Sequence, residues 1–220
     1  MLVNFFPSGI WHSKINFLKK QETLDKILIL HKEKGILKPQ DWPCDIFSTF
    51  ENEEEKYIKS INSHIIPDEF FILIDNEVEK YVNQLNLSEY GVFKTQHAWI
   101  NVYKKEQFQE IHVHTTSDNV LECDKPFFSG IYYIKLRDFH LATMFVNPVF
   151  YKQRIPNDIN QNENNLIYHT PKVDEGDIII FPSALPHGVP MNQHDELRVT
   201  ISFNIFLKEY DTQKDKKIYQ

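Results

Sequence analysis

The spacing of apolar residues predicts helices in the first part of the chain. Apolar side chains recur at near-helical intervals from 17 to 31, among lysines and glutamates, and Gly35 ends the pattern. A second helical pattern runs from 53 to 86 and is broken at Pro67; the residues after it form one apolar stripe, which is typical of a helix that lies on a sheet. The segment 38–52 contains two prolines and little periodicity, so we interpret it as a long connection.

In the second part of the chain the pattern changes to a period of two residues, which predicts strands. Trp99, Asn101 and Tyr103 share one face of such a run, and Ile100 and Val102 share the other. The predicted strands are 2–6 with a continuation at 10–12, 99–103, 108–114, 130–136, 143–146, 167–169, 177–181 and 198–207. Helices followed by many short strands predict an α+β, mainly β protein, in which the helices pack against one antiparallel sandwich or barrel.

Length and composition favour a single domain. The 220 residues are enough for one sizeable core, and an aromatic fraction of 14% suits the half-buried surface of strands. We therefore expect one domain over 1–220. It divides into a strand plus helical support at 1–92, a β core at 93–207 and a lysine-rich, solvated tail at 208–220.

Charge and cysteine content narrow the class of partner. The net charge of −7 argues against a broad basic face, so nucleic acid is not an expected partner. The two cysteines, Cys44 and Cys123, are too few for a disulfide framework and predict ordinary buried thiols in a reducing compartment. The sequence contains no run of about eighteen apolar residues, so it predicts no membrane-spanning helix. We expect a cytoplasmic protein, and a homodimer is one assembly that the sequence allows.

Two histidines separated by one residue are the first candidates for a metal site. His112 and His114 lie on a predicted strand, where side chains two residues apart point to the same face. This is how a sheet presents two nitrogen ligands to one metal. By itself such a pair is weak evidence for a metal site, because two histidines on one face are more often exposed to solvent or hydrogen-bonded than bound to a metal. A third ligand from a distant part of the sequence would strengthen the interpretation. His187 fits, because it follows the apolar strand 177–181 and stands between Pro186 and Pro190.

An arginine follows this third histidine. Arg198, Thr200 and Ser202 lie on one face of an apolar strand that begins eleven residues after His187. A buried arginine needs a partner, because its charge is not removed by a pKa shift. No carboxylate alternates opposite Arg198, so a ligand that carries a carboxylate is the expected partner.

The order His-x-His, distant His and strand Arg resembles the double-stranded β-helix dioxygenases that use iron(II) and 2-oxoglutarate. The resemblance extends to a subgroup of phage and bacterial 2-oxoglutarate oxygenases of undetermined substrate, similar to prolyl hydroxylases. It covers nearly the whole chain, through Phe5-Phe6-Pro7, Trp42-Pro43-Cys44, Ala98-Trp99-Ile100-Asn101-Val102, His112-Val113-His114, Ser129-Gly130-Ile131-Tyr132-Tyr133, Phe145-Val146-Asn147-Pro148, Gly176, Phe181-Pro182-Ser183, His187-Gly188-Val189, Arg198 and Ser202-Phe203-Asn204. It implies a jelly-roll or cupin-like core with N-terminal helices packed on its major sheet.

The resemblance also implies roles for individual residues. His112 and His187 would hold iron(II), and Arg198 would bind the far carboxylate of 2-oxoglutarate. Tyr133 would donate its hydroxyl to that carboxylate, by likeness to the tyrosine of prolyl-hydroxylase-like enzymes; the alternative is a core tyrosine with a backbone partner. Further candidates for the co-substrate pocket are Asn101, Thr200, Asn204 and Tyr103.

Two features depart from the common pattern. His114 occupies the position of the usual carboxylate ligand, as it does in this subgroup. Three imidazoles can bind iron(II), and the resulting site has one more net positive charge than a site with two histidines and a carboxylate. The alternative is that Asp118 or Glu110 supplies an oxygen ligand. The stretch 115–128 is also longer than the resemblance implies, and we interpret it as an insertion that faces the substrate.

The resemblance implies an oxygenase with iron(II), 2-oxoglutarate and O2. The expected reaction is hydroxylation of an unactivated C–H bond of a protein, peptide or small molecule, with release of succinate and CO2; the primary substrate is not specified. If the chain is encoded by a phage, the cytoplasm is that of the host. Two alternatives stay open: a non-catalytic cupin-like protein that binds a metal or ligand, and a three-histidine dioxygenase that does not use 2-oxoglutarate. Arg198 argues against both, because neither needs a clamp for a dicarboxylate.

Overall fold

A computed structural model of the chain describes residues 9–40, 42–50, 56–115, 125–148 and 167–210. The strand predicted at 2–6 lies outside these residues, as do Cys123, Asp118 and most of the predicted insertion. Cys44 is buried and free, as predicted.

In the part of the chain that the structure describes, three helices precede most of the strands. The helices are α1 Lys20–Lys34, α2 Lys56–Ile65 and α3 Asp68–Gln84. Gly35 ends α1 with a φ of 70°, a conformation that glycine adopts without steric cost, and its N–H bonds to the carbonyl of His31. Pro67 keeps an extended backbone and separates α2 from α3, as predicted. None of the described helices is long and apolar enough to cross a membrane.

Within the described residues, ten strands form two antiparallel sheets. The strands are β1 Trp11–Lys14, β2 Phe47–Ser48, β3 Gly91–Tyr103, β4 Gln109–His112, β5 Phe128–Lys135, β6 Met144–Val146, β7 Tyr168–His169, β8 Asp177–Pro182, β9 His187–Val189 and β10 Arg198–Tyr210. The major sheet has the order β1-β8-β5-β10-β3-β2, and the minor sheet the order β4-β9-β6-β7. Together with the helices, these sheets form the double-stranded β-helix that the resemblance implied.

Alternation along the central strands divides the interior into two sides. On β10, Val199, Ile201 and Phe203 enter the main apolar core together with residues of α3. Arg198, Thr200 and Ser202, which alternate with them, line a pocket on the other face. The same division holds on β8, where Ile178 and Ile180 belong to the core under the helices while Ile179 and Phe181 belong to a second cluster. The period of two therefore places the polar inner face as predicted.

Three local predictions need correction. The segment 38–52 is more than a connection, because it contains β2, whose Phe47 pairs with Val102 of β3. A strand of two residues is too short to produce a periodic pattern. His187 begins strand β9, which is not among the predicted strands, and β10 continues to Tyr210, beyond the predicted limit of the core. The start of β9 and the end of β10 depend on the strands with which they pair, and those strands are distant in sequence.

Candidate metal centre and co-substrate pocket

The structure brings His112, His114 and His187 together. His112 ends β4 and pairs directly with His187, the first residue of β9, across the minor sheet. His114 lies two residues beyond the end of β4, yet its ring stacks with that of His112 at an interplanar angle of 15°. One ring nitrogen from each histidine lies within 4.8 Å of those of the other two. This is a spacing at which three nitrogens can share one metal ion.

Hydrogen bonds determine which nitrogen of each ring faces the shared point. Nδ1 of His112 lies 2.8 Å from the carbonyl oxygen of Glu110, and Nδ1 of His187 lies 2.8 Å from that of Leu185. Nδ1 of His114 lies 2.8 Å from the amide oxygen Oδ1 of Asn204. Carbonyl and amide oxygens only accept hydrogen bonds, so each Nδ1 carries the proton. Each Nε2 is consequently a free lone-pair donor, as a metal ligand must be.

The three imidazoles are also held in their neutral form. Burial lowers the pKa of His114 to about 4, and burial together with the neighbouring histidines lowers the pKa of His187 to about 2. Burial also lowers the pKa of His112. A neutral imidazole is the state that binds a metal, so no proton competes with the metal near neutral pH.

The described residues place no carboxylate in this cluster. Glu110, one alternative oxygen ligand, contributes its backbone carbonyl to the Nδ1 of His112. Asp118, the other alternative, lies outside the described residues. Three nitrogens on one side, with a pocket on the other, fit a metal with open positions such as iron(II).

The pocket beside the histidines has an empty volume of about 420 Å³, which includes space that is open to solvent. Thr200, Tyr133 and Tyr103 are among the residues that line it. Asn101 and Asn204 are not among the lining residues. Asn101 accepts a hydrogen bond from Ser48 and donates one to Ser202, and Asn204 bonds to His114.

Arg198 lies in the pocket wall with 1% of its surface exposed. Its Nη1 donates to the carbonyl of Leu141 at 2.7 Å, and its Nη2 to that of Pro190 at 3.1 Å. The ring of Tyr103, which pairs with Arg198 across β3 and β10, lies 4.5 Å from its Cζ.

Two features of Arg198 are unusual for a buried cation. Its Nε–H is buried without a hydrogen-bond partner, and no described carboxylate forms an ion pair with the guanidinium. Burial lowers its pKa, but an arginine remains protonated in proteins. A buried positive charge with an unpartnered N–H donor, on a residue that lines a pocket, is suited to bind the carboxylate of a ligand.

Tyr133 has features of both predicted roles. It is one of the residues that line the pocket, and its hydroxyl donates to Thr143 Oγ1 at 3.2 Å and accepts the backbone N–H of Thr143 at the same distance. Burial raises its pKa, so the phenol stays protonated. It is thus a core tyrosine with a backbone partner that also lines the pocket.

Sequence reasoning missed the polar residues behind His114. Ser129 Oγ lies 2.8 Å from His114 Nδ1 and donates to Asn204 Oδ1 at 2.9 Å. Ser129 shares the inner face of β5 with Ile131 and Tyr133, so strand phase was the one available signal. That phase does not reveal which histidine Ser129 meets.

A jelly roll that joins three metal-competent histidines to a buried cationic pocket defines the class of non-haem metal-dependent oxygenases. Comparison with known proteins is more specific. Residues 97–204 match the family described as "Putative 2OG-Fe(II) oxygenase". The match spans the strands that carry all three histidines and Arg198. This segment is similar to the 2OG-Fe(II) oxygenase family, and the protein is an oxygenase whose cofactors are iron(II), 2-oxoglutarate and O2.

Solved structures confirm the fold. A prolyl-4-hydroxylase from Pseudomonas putida is 12% identical with a TM-score of 0.55, over 92% of this chain and 94% of that one. A viral collagen prolyl hydroxylase from Paramecium bursaria Chlorella virus-1, in complex with 2-oxoglutarate, is 14% identical with a TM-score of 0.51, over 90% and 96%. HygX from Streptomyces hygroscopicus, with nickel, 2-oxoglutarate and hygromycin B bound, is 9% identical with a TM-score of 0.53, over 91% and 84%. No curated protein sequence is significantly similar to this chain.

Proposed function

We propose that this oxygenase hydroxylates an unactivated C–H bond and releases succinate and CO2, with His112, His114 and His187 as the ligands of iron(II). The tautomers support this assignment, because all three Nδ1 atoms are bonded to oxygen and all three Nε2 atoms are free. Bound iron(II), together with 2-oxoglutarate and O2, supplies the oxidising chemistry. The protein supplies geometry, charge and the exclusion of water.

Arg198 is proposed to bind the far carboxylate of 2-oxoglutarate. The single observation that carries the proposal is its buried, unpartnered Nε–H in the wall of the pocket that the histidines share. The backbone carbonyls of Leu141 and Pro190 hold the other two nitrogens, so the guanidinium is oriented before the co-substrate arrives. Tyr133 and Thr200 line the same pocket, and their hydroxyls are proposed as additional donors to the carboxylate.

Charge balance also favours a dianionic co-substrate. Three neutral imidazoles leave the charge of iron(II) uncompensated, and Arg198 adds a further positive charge. A dianion binds both charges at once, whereas a neutral ligand would leave them unpaired in a buried site.

The primary substrate is proposed to be a protein or peptide side chain, or a small molecule. Two of the similar structures are prolyl hydroxylases, which supports the first, and one contains hygromycin B, which supports the second. Panels of peptides and of small molecules, assayed for mass gain of one oxygen, distinguish these classes.

Succinate production tests the proposal. Purified protein given iron(II), O2 and 2-oxoglutarate should form succinate, at least slowly, in the absence of a primary substrate. An absence of turnover, together with an absence of 2-oxoglutarate binding by calorimetry, would refute the proposed reaction.

A further inference from the structure

His114 is held differently from the other two histidines. Nδ1 of His112 and of His187 each bonds to the backbone carbonyl two residues earlier, a local contact that needs no particular side chain. Nδ1 of His114 bonds to the side chain of Asn204, 90 residues away. The orientation of this one ring therefore depends on the identity of a distant residue.

No strand pairing holds His114 in place. It lies beyond the last residue of β4, and its backbone N–H donates to the carbonyl of Ser183, just after β8, at 2.9 Å. This contact anchors the backbone of His114 and does not fix its side chain. The ring packs against those of Trp99, His112 and His187, and the hydrogen bonds to Nδ1 decide which ring nitrogen faces the metal position.

Three buried polar side chains from the major sheet and its margin surround the Nδ1 of His114. Asn204 Oδ1 accepts from His114 Nδ1 at 2.8 Å and from Ser129 Oγ at 2.9 Å. Ser129 Oγ also lies 2.7 Å from Ser183 Oγ. Because an amide oxygen only accepts hydrogen bonds, the proton of this contact must lie on Nδ1 of His114.

Because this network is buried, the loss of one of its hydrogen bonds is costly. Both serines are fully buried, and Asn204 is nearly so. Water cannot replace a lost partner at such depth without a cost, so the loss of one member leaves another unsatisfied. A change at Asn204 should therefore reach the metal through His114.

We infer that Asn204, supported by Ser129 and Ser183, is the positioning residue that presents Nε2 of His114 to the metal and so makes this a three-histidine site. The inference rests on the proposed function, because it assumes that His114 is a ligand. Asn204 itself touches neither the metal position nor the pocket.

Cobalt(II) binding by the full chain tests the inference, with the metal as the probe and its absorption spectrum as a second signal. Asn204→Ala should weaken cobalt(II) binding by about 10- to 100-fold, the usual cost of losing the hydrogen-bond partner of a ligating histidine. Asn204→Asp keeps an oxygen acceptor at the same place, so affinity and spectrum should return to those of the wild type. If Asn204→Ala does not fold, Asn204→Leu removes the acceptor with less loss of volume.

Asn62 supplies the matched control. It is a buried asparagine on α2 with two hydrogen bonds to Thr49 and none to a histidine. Asn62→Ala should lower thermal stability while cobalt(II) affinity stays at the wild-type value.

A double-mutant cycle with His114→Ala separates positioning from general damage. In the His114→Ala background, Asn204→Ala should cause no further loss of cobalt(II) affinity. The inference is overturned if Asn204→Ala binds cobalt(II) like the wild type, or if it loses as much affinity with His114 absent as with His114 present. A wild-type protein that binds neither cobalt(II) nor iron(II) would instead overturn the proposed function.

Discussion

Replacing Arg198 by methionine should remove co-substrate binding while the metal site and the fold persist. Methionine is unbranched and fills a similar space, but it carries no charge and no donor. Because Arg198 does not touch the three histidines through a hydrogen bond, metal affinity should stay within about threefold of the wild type, a difference of well under 1 kcal/mol.

The stability of the free protein should change little, because two effects oppose each other. The carbonyls of Leu141 and Pro190 lose their donors, at about 1–3 kcal/mol each. Against this, the variant no longer buries a cation without a counter-ion, a penalty of several kcal/mol. These terms are of the same size, so the free variant should unfold within about 2 kcal/mol of the wild type.

The effect on 2-oxoglutarate binding should be much larger. A carboxylate can accept from Nε–H and from the second hydrogen of a neighbouring Nη. Two charge-assisted hydrogen bonds of about 1.5 kcal/mol or more each amount to at least ~3 kcal/mol, or on the order of 100-fold in Kd. At a 2-oxoglutarate concentration of about 100 times the wild-type Kd, ligand binding stabilises the wild type by ~2.7 kcal/mol. This raises the Tm of a domain of this size by roughly 5–11 °C. The variant should show a shift of only about 1–2 °C.

The assay is thermal unfolding of metal-loaded, oxygen-free protein with and without 2-oxoglutarate. Arg137→Met is the control, since Arg137 is an exposed arginine that pairs with Glu196 outside the pocket, and it should keep the full shift. A full shift in Arg198→Met, or an equal loss of metal and 2-oxoglutarate, would refute the assignment of Arg198 as the clamp.

Four other outcomes are expected. His187→Ala should abolish saturable binding of iron(II) in a metal titration, because two imidazoles remain. His114→Asp should retain iron(II), with succinate formation equal to or above that of the wild type, because it restores a two-histidine, one-carboxylate ligand set. Gly130→Ala should cost about 1–3 kcal/mol in denaturant unfolding, since a Cβ there would overlap the ring of Phe203. Metal-free protein should lose stability, by on the order of a few kcal/mol, as pH falls from about 6.5 toward 4. The sign follows from the lowered pKa of His114 and His187: over this range the unfolded chain binds protons that the folded chain does not.

Each expectation has an outcome that contradicts it. Tight iron(II) binding by His187→Ala would place the metal elsewhere, and loss of iron(II) from His114→Asp would show that a carboxylate does not replace the imidazole at this position. Gly9→Ala, where an added Cβ has no neighbour within 4 Å, is the control for Gly130→Ala, and equal stability of the two variants would contradict the proposed overlap. Stability that stays constant or rises during acidification would show that the histidines are not buried in neutral form.

The sequence alone determined which residues share the inner face of the sheet. On β10, Arg198, Thr200 and Ser202 alternate with apolar residues, and the period of a strand leaves one arrangement that buries the apolar set. The same reasoning located His112 and His114 as a candidate pair. Strand phase is a local property, so it can be read without knowing which strands pair.

Only the tertiary structure decided what each inner-face residue contacts. Asn101 and Asn204 have the same strand phase as Arg198. Asn101 nevertheless forms hydrogen bonds with Ser48 and Ser202, whereas Asn204 forms one with His114. Ser48 lies on a strand of two residues, and His114 lies beyond the end of its own, so neither has a periodic pattern to read. These partners are set by sheet order and register, which depend on the packing of distant segments. For the same physical reason, the bond between His114 and Asn204 could not be read from either residue alone.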